Sequence, residues 1–148
     1  MSNRDLTKNE RPFRLSRVFF WGLRVLVAGV FFWAGWAKVM DPMGFSDGIS
    51  EFQIFPENWI NVLAGTVPVV ELFVAVLLFW QPWSRRAALL GSFLALSFTF
   101  LFAWAWWRGL DVQCACFGSQ RGPVSPLFGI LRAVGLWGAC AWLYGQML

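Results

Sequence analysis

Four apolar stretches, each long enough to cross a bilayer, constrain this chain more than anything else in it. They run at about 17–38, 59–80, 87–107 and 127–147, and a helix needs about 20 apolar residues to span the hydrocarbon core. No water satisfies the backbone there, so each stretch must bond to itself as a helix. The connections are short, which makes neighbouring helices antiparallel. The expectation is an all-α integral membrane four-helix bundle. Composition agrees: 58% of residues are hydrophobic and 14% charged, and a soluble domain carries more charge. Residues 1–16 read as a basic cytoplasmic tail and 17–148 as a single four-span membrane domain, with no room for a separate soluble one. The first span does not read as a cleavable signal: its apolar region is too long, Arg24 interrupts it and a charged tail precedes it.

Charge sets the orientation. Arg4, Lys8, Arg11, Arg14 and Arg17 precede the first span, and Arg85 and Arg86 lie in the turn between the second and third. The connection between the first two spans is acidic, with Asp41, Asp47, Glu51 and Glu57. The positive-inside rule then makes the chain N-in and C-in, with the 39–58 and 108–126 connections on the outer face. Tryptophans are placed as interfacial belts, with Trp21, Trp80 and Trp83 inside and Trp36, Trp59, Trp104, Trp106 and Trp107 outside.

The outer face holds the most distinctive local motif, Cys114-Ala115-Cys116-Phe117-Gly118. The chain has three cysteines and no histidine, so histidine bases, histidine metal ligands and bis-histidine haem are excluded. Two thiols one residue apart remain. A bridge between them would close a very small ring against demanding geometry. It would stabilise little and reduce easily, the property of an exchanging disulfide rather than a structural one. Three readings stay open: redox exchange, soft-ligand binding of Cu(I) with Met40 or Met43, and two idle cysteines. Cys140 lies deep in the fourth span, out of reach of the other two, and reads as a small packing residue.

The connection between the first two spans has its own pattern. Asp41-Pro42 reads as an N-cap followed by proline in the first turn. Phe45, Ile49 and Phe52 follow at helical spacing, with Asp47, Ser50 and Glu51 off that face. This describes a short amphipathic interfacial helix ended by Pro56. It either covers the top of the bundle beside the cysteines or is a plain surface re-entry.

Charges within the spans need partners. Glu71 falls mid-span in the second, and Arg24 in the first; the expected arrangement is an Arg24–Glu71 ion pair. Lys38, at the outer end of the first span, is expected to snorkel to the interface. Arg132 begins the fourth span beneath the cysteine loop, and Lys38 or Arg132 there would favour a thiolate. Glu71 reads either as a structural partner or as a proton relay or quinone contact. No phosphate loop or calcium site is present, no metal site is assigned, and the net charge of +4 reads as a topology signal rather than nucleic-acid binding.

Gly35-Trp36-Ala37-Lys38 followed by Asp41-Pro42 and Phe45 resembles the first-span signature of the MauE/DoxX family of small membrane proteins. Pro68 with Glu71 resembles that family's second-span signature. Cys116-Phe117-Gly118, preceded by Cys114, is similar to the MauE branch, and Arg132 matches a basic position there. An acidic residue usually follows that arginine; here it is Ala133. The resemblance implies a four-helix protein of the bacterial inner membrane. It also implies a link to methylamine utilisation, with help to the maturation of a periplasmic, disulfide-rich protein beside a thioredoxin-like partner. Combined with the residues, the expected function is a membrane thiol–disulfide redox protein acting through Cys114 and Cys116. A quinone is the candidate electron carrier, although no residue pattern marks its site. A non-catalytic scaffold and a Cu(I) handler are the alternatives.

Overall fold

The computed structural model describes residues 3–110, 112 and 126–148, with side chains for 16–110, 112 and 127–148. Five helices follow in order: α1 (Asn3–Met40), α2 (Pro42–Glu51), α3 (Glu57–Phe79), α4 (Ser84–Trp107) and α5 (Pro126–Gln146). Four of them, counting α1 from Ser16, are long and apolar enough to cross a membrane. The fold is therefore the helical membrane bundle expected. Only 22–33% of residues in the core window of each span are buried. The rest present valine, leucine, phenylalanine and tryptophan side chains outward, the surface a helix shows to lipid. α1 starts at Asn3, ahead of its candidate span at Ser16–Met40, so the residues that precede the span are helical as well.

α1 packs on α3, and α4 packs on α5. Their inward faces join in one core, where Val27, Phe31, Val74, Leu78, Cys140 and Leu143 are buried. Gly35 fixes the register of the first pair. A Cβ there would lie 2.9 Å from Leu72 Cγ and 3.0 Å from the Pro68 carbonyl oxygen. The two backbones meet where the side chain is absent, the usual device of membrane helix pairs. Cys140 is buried and unpaired, its sulfur close beside Gly91, as a packing residue should be.

This register has a consequence at the α2 end. Beyond the Gly35 level α1 runs on for about 8 Å and α3 for about 20 Å, at 1.5 Å per residue. The overhang, about 12 Å, matches one helix diameter, and α2 occupies it. Asp41 caps α2 as expected, its carboxylate accepting from the Gly44 amide at 3.0 Å. Phe45 and Ile49 bury against Ile60, Leu63 and Val67 of α3. Phe52 packs edge-on against Phe102 of α4, with ring centroids 5.6 Å apart. Of the two expectations for this segment, the covering helix is the one observed. Pro56 does not end it. The helix stops at Glu51, Gln53 turns the chain with φ of 53°, and Pro56 caps α3 instead.

Candidate functional site

The charged core of the bundle differs from the sequence expectation. Glu71 does not pair with Arg24. Lys38 Nζ donates to both Glu71 oxygens, each at 2.6 Å, and both residues are 2% exposed. Lys38 therefore does not snorkel to the interface either. Geometry explains both corrections. Helical side chains lean toward their own N-terminus. In an antiparallel pair, Lys38 leans down the bundle and Glu71 leans up, so residues one turn apart in depth converge. Arg24 lies about 15 Å away along the axis, level with the end of α3. There its Nε donates to the Leu78 carbonyl at 2.5 Å, one of the last carbonyls of α3, which lack intrahelical donors. Its guanidinium also sits 4.9 Å from the Trp21 ring centroid.

A small cavity of about 50 Å³ lies against the ion pair, walled by all four spanning helices. Phe31 and Ala34 of α1, Phe98 and Phe102 of α4, and Gly129 and Arg132 of α5 line it with Lys38 and Glu71. Arg132 is thus brought to the same space as the pair, which the sequence did not anticipate. Gly129 makes room for the ring of Phe102, whose Cδ1 would lie 2.8 Å from an added Cβ. Phe98 and Phe102 were missed as well. Their four-residue spacing puts them on one face of α4, a signal that could have been read.

Cys114 and Cys116 lie outside the described residues. Val112, two residues before Cys114 in the chain, is buried with Phe52, Phe102 and Ala105. The connection that carries the cysteines therefore leaves α4 at the end of the bundle roofed by α2. Lys38 is already engaged by Glu71, which neutralises it as a source of positive potential for a thiol.

The sequence matches the family model described as Methylamine utilisation protein MauE over residues 16–145. It is 32% identical over 122 residues to a Paracoccus denitrificans protein named Methylamine utilization protein MauE, an alignment that covers 81% of this chain. The chain spans 65% of that relative's length. No solved structure matches the fold. The family match runs from the first turn of the first span to the last turn of the fourth and contains α2, the ion pair, the small cavity and the Cys-X-Cys connection. This multi-pass membrane protein belongs to the MauE family.

Proposed function

We propose that the chain is a membrane thiol–disulfide redox protein whose Cys114 and Cys116 exchange with a thioredoxin-like partner. The exchange serves maturation of a periplasmic protein in methylamine utilisation, the process named for its Paracoccus denitrificans relative. The observation that carries this reading is the spacing of the two cysteines within the α4–α5 connection, in a chain without histidine. In the exchange, a thiolate attacks a sulfur of the partner's disulfide and forms a mixed disulfide. The second thiol of the pair then displaces the partner's thiol, so two electrons and two protons move together. The arginines of the tail and of the α3–α4 turn support an orientation with this connection on the periplasmic side of the inner membrane. There a disulfide persists.

Single Cys114→Ser and Cys116→Ser variants test the reading, because each lacks a resolving thiol. On non-reducing gels of acid-quenched cells, at least one should carry a trapped mixed disulfide that Cys140→Ser does not. The double serine variant should lose function. If neither single variant traps an adduct and the double variant is fully active, the protein acts as a scaffold rather than through its thiols.

A further inference from the structure

A larger space lies apart from the ion pair. A cleft of about 320 Å³ opens between α3 and α4 beneath α2, within the size range of small-molecule sites. Phe45, Ile49 and Phe52 roof it, Val67 stands on the α3 wall, and α4 lines it from Phe93 to Phe102. No charged side chain belongs to this lining. Its one polar side chain, Ser97, donates its hydroxyl proton to the Phe93 carbonyl within α4. A polar head would therefore find no donor inside. At its lower end the cleft reaches Phe93, which is 68% exposed on the lipid-facing side of α4. From Phe93 to Phe102 the wall runs about 13 Å at 1.5 Å per residue. One leaflet's share of the hydrocarbon core is about 15 Å. Above the cleft, α4 ends in a cation. Arg108, its C-cap, lies seven residues beyond Leu101 on the same helix face, about 10 Å farther toward the α2 end. Its guanidinium sits 5.7 Å from the Trp104 ring centroid, and Trp104 packs edge-on against Trp107. Such tryptophans mark the headgroup level. No carboxylate pairs with Arg108 among the described residues.

We infer that this cleft holds one acyl chain of a phospholipid from the leaflet at the α2 end, with the phosphate at Arg108. The head stays at the interface, and the chain lies along the Leu101, Ser97 and Leu94 face of α4. Four observations select this occupant. The lining asks for hydrocarbon and offers nothing to a polar group. The cleft is as deep as one leaflet and meets lipid at Phe93. The cation above it stands at the height of a phosphate. A helix of a partner protein does not fit, since at about 10 Å in width it would fill about 1,000 Å³ over the same length. The bilayer itself supplies the ligand, so mass action favours it over scarcer apolar molecules. The chain completes the core under α2. Without it Phe45, Ile49 and Phe52 lose contacts on the side that faces the cleft. The site is independent of the thiol-exchange reading.

The test uses the full chain, purified from membranes in mild detergent and examined by native mass spectrometry, where the mass of a retained adduct identifies it. One phospholipid per chain is expected. Val67→Phe fills the cleft from α3 and should reduce the retained fraction at least fivefold. Val69→Phe, the same change at a position 54% exposed to lipid, should retain the adduct like the parent. Ser97→Phe fills the same space from α4 and decides the matter if Val67→Phe does not fold. Arg108→Gln should retain several-fold less. Melting gives a second reading. Added phosphatidylglycerol should raise the melting temperature of the delipidated parent by a few degrees and leave that of the filled variants unchanged. The site is refuted if no phospholipid adduct survives, if the adduct has the mass of a fatty acid, an isoprenoid or detergent alone, or if the filled variants keep it as fully as Val69→Phe. Equal retention by Arg108→Gln would overturn the placement of the phosphate.

Discussion

Lys38 and Glu71 would each be costly alone in lipid, and together they are a neutral unit. Breaking the unit from either side strands a charge. Lys38→Met or Glu71→Ala should each destabilise the protein by about 3–5 kcal/mol, and Lys38→Met/Glu71→Leu should recover most of that loss. Thermal melting in detergent measures all three. Arg24 belongs to a different contact, its bond to the Leu78 carbonyl. Arg24→Ala should cost about 1–3 kcal/mol, and its effect should add to that of Glu71→Ala because the two share no partner. Strong coupling between them would restore the pairing expected from sequence. At this scale the sequence was half legible. It marked Arg24, Lys38 and Glu71 as side chains in need of partners. It did not match them, because partner choice depends on how far α3 is raised relative to α1, and that offset is set by Gly35, Pro68 and Leu72.

Elements were read more securely than contacts. Apolar run lengths located all four spanning helices. The Asp41-Pro42 cap and the Phe45, Ile49, Phe52 spacing located α2, since caps and periodicity are local properties of the chain. The end of α2 was misread because Pro56 looked like a stop signal, while the turn at Gln53 carries no such mark. Glycines show the same divide. Glycines of the spanning helices look alike in sequence, yet they differ in what surrounds them. Gly35 abuts a backbone oxygen that cannot yield, while nothing lies within 4 Å of a Cβ added at Gly135. Gly35→Val should therefore force α1 from α3 and cost about 1–3 kcal/mol as overpacking does. Gly135→Ala should leave melting unchanged or raise it slightly. Equal effects at the two positions would show that the α1–α3 contact does not set the register.

For the whole molecule, the arrangement to be tested is its direction in the membrane. The positive charges predict both termini inside, and the α2 end with the Cys-X-Cys connection outside. Impermeant maleimide applied to intact, reduced cells should label Cys114 and Cys116 and leave Cys140, buried beside Gly91, unlabelled. Labelling of the pair only after the inner membrane is opened would reverse the orientation and end the periplasmic exchange reading. The bundle as a whole was legible because lipid leaves so few ways to satisfy a backbone. The small cavity at the ion pair was not, because it is the space left where all four spanning helices meet, and no single residue writes it.

Lys38 and Glu71 also stand 33 residues apart in a chain made from one end. At synthesis rates of about 5–20 residues per second, the lysine precedes its partner by roughly 2–7 s. For that interval α1 enters the bilayer with a bare charge in its last turn. Because that turn ends the span, the ammonium can reach the headgroups until α3 has been made. The contact that joins the first two spanning helices at the α2 end can therefore form only once α3 has been made.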